Sequence, residues 1–480
     1  MPLRTPSQYV ESLRDGRTVY YRGKRIEDVT AHPYFRTAID HAAIDFQLAE
    51  DPQHRELAVA KDPETGDEIS RLYLMPKDTG DLLDRAKLIA LSTREGGTMV
   101  TLIKEIGADA LNALHVVAAQ MDESLGTHVS ERVHAFYRHC ADNDLAVCVA
   151  QSDPKGDRGL RPSEQEHPDY YLRIVDRRDD GIVVRGAKLH TSVSVNSNEM
   201  IVLPTRQLDE RDADYAVAFA VPVDTPGLKL ITSTYTRENA SEEEFPLSSK
   251  HRMLETLTIF EDVFVTWERV FLDGQHQYAG PMALTFVDFH RYTAVSYKQP
   301  LIDLLVGSAL LMADYNGISR AGHVREKIRW LAIYNQTIKG LLSAAAHNHQ
   351  VVPPGIAVPN RLYTNLAKLH FAEHYHTALG HVQDIAGGLL VTTPGVEELE
   401  NPETRDAVLR YLGGRKGVSA EDRLKAIRMI ADLTTSEFGG YQAVLAIHAE
   451  GSIEAEKLAI AREFDAQSAL EYARAMAGIS

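Results

Sequence analysis

Residues 289–298 read FHRYTAVSYK, and on a 3.6-residue period His290, Ala294, Tyr297 and Lys298 share one helical face. An imidazole, a phenol and an ammonium at that spacing can hold and pass protons at one substrate, because imidazole titrates near neutrality. The same residues also suit a polar seam between packed helices. A second cluster, HFAEHYH (370–376), sets His370, Glu373 and His374 in the H-x-x-E-H order of inverted zinc proteases. No third ligand is marked, and His376 and His381 extend the run, so a solvated or interface helix is the plainer reading.

Three further stretches carry ligand chemistry. In QSDPKGDRGLRP (151–162), Gln151, Ser152, Asp153, Lys155 and Arg158 form a charged turn after an apolar strand; Lys155 and Arg158 suit phosphate or carboxylate groups, and a solvated loop is the alternative. In RGAKLHTSVSVNSN (185–198), Lys188 and Thr191 flank an alternation that puts His190, Ser192, Ser194 and Asn196 on one strand face, able to meet a heteroaromatic ring. Gly387 and Gly388 follow a helical pattern, as a C-cap or as a close backbone approach to a ligand.

Positioning these groups falls to three blocks. Residues 1–143 read as a helical domain, with helical spacing over 33–48, 80–94, 102–121 and 127–142 and a small hairpin at 18–26. Residues 144–275 read as an antiparallel β domain, and residues 276–480 as a helix bundle. The expected class is therefore α+β, with a cleft at the domain boundaries where small-molecule sites tend to form.

Composition narrows the function. The 480 residues carry a formal charge of −17 without a basic patch, which argues against nucleic acid and anionic membranes. The longest apolar run, 301–313, is too short to span a bilayer, and the N-terminal residues show no apolar signal region. Only Cys140 and Cys148 occur, which fits a reducing, cytoplasmic setting. Rossmann, P-loop, nucleophile-elbow and CxxC motifs are absent.

Taken together, SDPKGDRGLRPSEQEHPDYY (152–171), DDGIVVRGAKLHTS (179–192), LETLTIFEDVFVTWERVF (254–271), ADYNG (313–317) and GGLLVTTP (387–394) resemble the flavoprotein family of 4-hydroxyphenylacetate 3-monooxygenases and 4-hydroxybutyryl-CoA dehydratases over nearly the whole chain, closest to the dehydratase branch. The resemblance implies an acyl-CoA-dehydrogenase-like fold, a homotetramer and bound FAD, with 151–158 and 188–192 lining the flavin and Gly387–Gly388 meeting a neighbouring subunit's cofactor. It implies catalytic roles for His290 and Glu255. The dehydratases hold a [4Fe–4S] cluster with three Cys and one His; here the His is His290, and the Cys positions fall at Tyr297, Thr101 and Glu105, so no [4Fe–4S] cluster and no other metal is expected. The Arg, Tyr and His with which the hydroxylases bind a phenol fall at Ile106, Ala110 and Val149. The expectation is a monooxygenase that takes FADH2 from a separate reductase and oxygenates an organic, possibly aromatic, small molecule, with His290, Glu255 and Tyr297 at the reaction centre. The alternatives are a cluster-free acyl-CoA dehydratase or isomerase, and a non-catalytic or zinc-binding helical protein.

Overall fold

A computed structural model describes residues 3–238 and 240–479. Helices Thr79–Glu95, Glu105–Leu125 and Val129–Asp142 form the N-terminal layer, and helices Ala279–Tyr315, Gly322–His347, Arg361–Ala386 and Ala420–Thr434 form the C-terminal bundle. Between them lie a six-stranded and a four-stranded sheet. Helix Ala279–Tyr315 is the hub: it packs against Thr79–Glu95, Glu105–Leu125, Gly322–His347, Arg361–Ala386 and Ala420–Thr434. It is apolar on most sides because it is covered on most sides.

The sheets depart from a purely antiparallel domain in two places. Strand Val19–Tyr21, from the hairpin near the N-terminus, lies parallel to Leu228–Thr232, with Val19 opposite Leu230. Strand Val147–Ala150 pairs in parallel with Glu199–Val202. Both of the latter strands are wholly buried, which explains the unbroken apolar run VCVA. Helix Glu105–Leu125 presses against Val147 at Gly107; a Cβ there would lie 2.5 Å from the Val147 Cβ and 2.8 Å from its carbonyl oxygen, so only glycine permits this approach.

Helical spacing runs over 419–449 and 452–477 in the sequence, and each stretch is split by a capping side chain. Ser436 accepts from the amides of Phe438 and Gly439 and starts helix Glu437–His448; Asp465 accepts from Ser468 and starts helix Ala466–Ala477. Among the described residues no helix is long and apolar enough to cross a membrane.

Candidate active site

The turn after strand Val147–Ala150 is built around one buried ammonium. Lys188 Nζ, 3% exposed, lies 2.6 Å from Asp153 Oδ1 and donates to the carbonyls of Gln151 (2.8 Å) and Leu203 (3.0 Å). These three partners use all three of its donors. Lys188 is thus the peg of the turn and has no hydrogen left for a ligand. Thr205 completes the turn: its Oγ1 lies 2.7 Å from the Gln151 carbonyl and beside the Asp153 carboxylate, and its one hydrogen serves one of them at a time. Gln151, Ser152 and Lys155 are half-buried at its rim, with Lys155 at φ +71°, and Arg158 is exposed. Lys188→Met leaves the buried Asp153 carboxylate without its counter-charge and strips two carbonyls of a donor; the expected cost is about 3–5 kcal/mol in denaturant unfolding.

The expected strand alternation over 190–196 does not form. The strand ends at Lys188, His190 and Val193 both take φ +54°, and residues 194–196 are a short 3-10 turn. Ser194 and Asn196 turn inward: Ser194 Oγ meets Thr256 Oγ1 at 2.7 Å, and Asn196 donates to the Tyr9 hydroxyl at 3.4 Å. Thr191 is fully buried and accepts from Thr258 Oγ1 at 2.9 Å. His190 is exposed and Ser192 half-buried, so of the four expected on one wet face these two remain accessible.

Ser192 leads to Glu255. Its hydroxyl lies 2.9 Å from each Glu255 carboxylate oxygen, and the Tyr441 hydroxyl donates to Oε1 at 2.6 Å. Tyr235 stacks on Tyr441 with ring centroids 4.1 Å apart. Burial pushes the Glu255 carboxyl above its ordinary value, while the bonds from Tyr441 and Ser192 pull the other way. Glu255 thus holds its proton to a higher pH than an exposed glutamate.

His290 and Tyr297 share a helix but engage different elements. His290 Nδ1 lies 3.1 Å from Asp109 Oδ2 on helix Glu105–Leu125, and Phe286 stacks on its ring at 5.1 Å. Asp109 is fully buried and paired with Arg85 at 2.7 Å; it also accepts from Thr293 at 2.9 Å. A carboxylate so paired only accepts, so Nδ1 is the nitrogen that carries a hydrogen toward Asp109, and in the neutral ring the lone pair is on Nε2. Tyr297 instead bonds Glu450 in the loop after helix Glu437–His448. Glu450 also takes Lys298 Nζ at 2.8 Å, and Lys368 Nζ stands 3.8 Å away. Glu450 reaches this depth because Gly451, at φ +118°, passes against the Arg291 guanidinium where no side chain fits. Thr98, Met253, Tyr297, Lys298, Phe371 and Gln442 line a small crevice that brings this cluster beside the segments bearing Glu255 and Tyr441.

The other candidates place as follows. Gly387, at φ +84°, caps helix Arg361–Ala386, and neither it nor Gly388 has an atom within 4 Å of a built Cβ, so both are open to a ligand or a second chain. Ile106, Ala110 and Val149 are buried and apolar. His370 and His374 pack against Tyr334 and each other, while Glu373 pairs with Lys457 at 3.3 Å. Among the described residues no group of three or more His, Cys, Asp or Glu is arranged to hold a metal ion. A [4Fe–4S] cluster does not fit the positions the resemblance points to: the Thr101 hydroxyl and Glu105 carboxylate bond each other at 2.7 Å, and the Tyr297 phenol is taken by Glu450. Sequence reasoning passed over Asp109, Tyr441 and Glu450. Asp109 alone carries a local signal, an acidic residue inside the apolar stretch 106–111.

Comparison with known proteins places this geometry. Family models described as 4-hydroxyphenylacetate 3-hydroxylase N terminal and C terminal match residues 5–272 and 279–478. The chain is 34% identical to a 4-hydroxybutyryl-CoA dehydratase/vinylacetyl-CoA-Delta-isomerase of Clostridium aminobutyricum, over 99% of this chain and 100% of that one. It is 30% identical to the oxygenase component of the Thermus thermophilus 4-hydroxyphenylacetate 3-monooxygenase, over 92% and 90%. An oxygen-tolerant archaeal 4-hydroxybutyryl-CoA dehydratase from N. maritimus matches with TM-score 0.94 at 31% identity, covering 100% and 96%. The oxygenase component of a 4-hydroxyphenylacetate 3-monooxygenase complexed with FAD and 4-hydroxyphenylacetate matches with TM-score 0.91 at 27% identity, covering 98% of each chain. The fold is acyl-CoA-dehydrogenase-like. The chain belongs to the 4-hydroxyphenylacetate 3-hydroxylase family of enzymes.

Proposed function

We propose that this protein binds FAD and catalyses a proton shift in an unsaturated acyl thioester, moving a β,γ double bond into conjugation. The observation that carries this reading is Glu255, a carboxyl kept toward its acid form by burial and held between Ser192 and Tyr441. The donor set fits a flavin nucleotide: Gln151, Ser152, Lys155 and Ser192 form a half-buried polar rim, Arg158 stands exposed for a phosphate, and Gly387–Gly388 offer bare backbone. Bound FAD supplies a redox-active, planar ring system. The chain's own residues handle the proton. His290 Nε2 takes a hydrogen from the α-carbon, and Asp109 stabilises the imidazolium that results, as a buried carboxylate does for a catalytic histidine. Glu255 delivers its carboxyl proton to the γ-carbon. One C–H bond breaks, one forms, and no electrons enter or leave. The thioester comes from the dehydratase/isomerase relative, which matches this chain from end to end.

The sequence-based preference for an oxygenase stands as the second reading. Its support is the relatives that are oxygenase components, together with the buried apolar wall of Ile106, Ala110 and Val149, which suits a site that must exclude water. It requires a reductase partner; the proton shift requires none. Anaerobic incubation of the FAD-loaded protein with a β,γ-unsaturated acyl-CoA separates the two. Formation of the conjugated isomer supports the first, and product only with reduced flavin and O2 supports the second. We also assign the exposed Phe464, Leu470, Tyr472 and Met476 of the C-terminal helices to contact with further copies of the chain, in line with the expected tetramer.

A further inference from the structure

Where the dehydratase resemblance expects two cysteines, this chain builds a string of three oxygens. Thr101 Oγ1 lies 2.9 Å from Asp45 Oδ1 and 2.7 Å from Glu105 Oε1. Thr101 and Glu105 are fully buried and Asp45 is 7% exposed. A hydroxyl carries one hydrogen, so it donates to one carboxyl and must accept from the other. Glu105 has a further donor: the Lys104 amide reaches Oε2 at 3.2 Å. Asp45 has none, and its Oδ2 is buried without a partner. The local charge count agrees. Lys104 Nζ, the ammonium facing the group, is committed to Asp144 at 2.6 Å, so ionised Asp45 and ionised Glu105 would be two buried negative charges without a cation of their own, and a proton on Asp45 leaves one.

We infer that Asp45 is a protonated carboxylic acid at neutral pH, donating to Thr101, which donates to Glu105, and that this string positions the 98–105 segment. Two functions of the candidate site hang from that segment. Thr98 and Val100 line the crevice with Tyr297, and Glu105 opens the helix whose next turn carries Asp109, the partner of His290. Asp45 is accordingly a positioning residue. The groups that face it are Thr101, Glu105, Lys104 and, farther off, Asp144, with the buried phenols of Tyr9 and Tyr73 on the elements packed against it; burial and then Glu105 raise its carboxyl well above the ordinary range. An acid whose folded value is raised lends stability below its unfolded value and loses it as pH rises through the folded one.

The test uses full-length protein. Asp45→Asn mimics the neutral acid, so its thermal midpoint is expected to rise relative to wild type as pH goes from about 4 to neutral, where unfolded Asp45 is ionised while the folded side chain keeps its proton. Wild type is also expected to show the infrared carbonyl stretch of a protonated carboxylic acid at neutral pH, with one component missing in Asp45→Asn. A constant offset between the two midpoints across that range, or an unchanged infrared band, overturns the proposal. Should Asp45→Asn not fold, Thr101→Val serves: it removes the acceptor, and the same band component must shift. A band that stays in place in Thr101→Val also overturns it. The inference is independent of the proposed activity, since neither readout needs turnover.

Discussion

Glu255→Gln is expected to lower turnover about 10²–10⁴-fold while leaving the protein folded, the usual range for removing one acid–base group. Glutamine keeps the size of the side chain and can accept from Ser192 and Tyr441, which now bond the carboxylate oxygens. It cannot release a proton. The pH profile carries the sharper signature. In the proposed reaction Glu255 is the acid, so wild-type activity is expected below its raised value and falls as pH rises through it. That alkaline limb disappears in Glu255→Gln, whose residual rate no longer depends on that titration. Steady-state rates against pH decide the matter: a variant that keeps wild-type kcat, or one that keeps the limb, removes Glu255 from the reaction. Tyr441→Phe is the control, since it deletes one donor to Glu255 without removing the proton.

Glu450→Ala is expected to cost about 3–5 kcal/mol of stability, the range for removing one member of a buried ion pair. Glu450 is the counter-charge nearest Lys298, whose side chain is 3% exposed, and it helps neutralise the fully buried Lys368. Arg291 adds a third cation to the same pocket, and it donates to the Glu450 carbonyl at 2.8 Å. Without Glu450, Glu456, 3.2 Å from Lys368, and Asp288, which acts on Arg291 and is itself paired with Arg361, are left to balance them. Burial already drives the Lys298 ammonium well below its ordinary value and the Glu450 carboxyl well above. The same substitution frees the Tyr297 hydroxyl, so the crevice loses its shape as well as its charge balance. Denaturant unfolding measures the cost. The paired variant Glu450→Gln with Lys298→Met, which removes both charges, should recover most of it; a double variant as unstable as Glu450→Ala contradicts the electrostatic explanation.

Much of the architecture was legible because it is locally encoded. Thr5 caps its helix in a reciprocal box with Gln8, the pairing that a Thr-x-x-Gln start encodes locally. The helical spacing over 80–94 and 127–142 returns as Thr79–Glu95 and Val129–Asp142. What failed depended on single side chains or on distant partners. Ser436 and Asp465 broke helices whose periodicity continued past them. The hairpin at 18–26 gave no sign that its partner strand lay some two hundred residues on. In the site, the polar residues of 190–196 were visible, but the two positive φ values that turn Ser194 and Asn196 inward were not. The shared face of His290 and Tyr297 was legible as geometry and misleading as chemistry, because helix Ala279–Tyr315 is covered on several sides. Its neighbours decide which residue each side chain meets, Asp109 for one and Glu450 for the other.

The central claim is that the chain moves a proton without redox turnover, and one assay addresses it most directly. Protein reconstituted with oxidised FAD is mixed anaerobically with vinylacetyl-CoA, and the conjugated isomer is followed by its ultraviolet absorbance and by deuterium uptake from D2O. The account predicts isomer formation with solvent deuterium at the γ-carbon, no change in flavin oxidation state, and loss of both signals in His290→Ala. No isomer from flavin-loaded, folded protein, or isomer that forms only when reduced flavin and O2 are supplied, contradicts it.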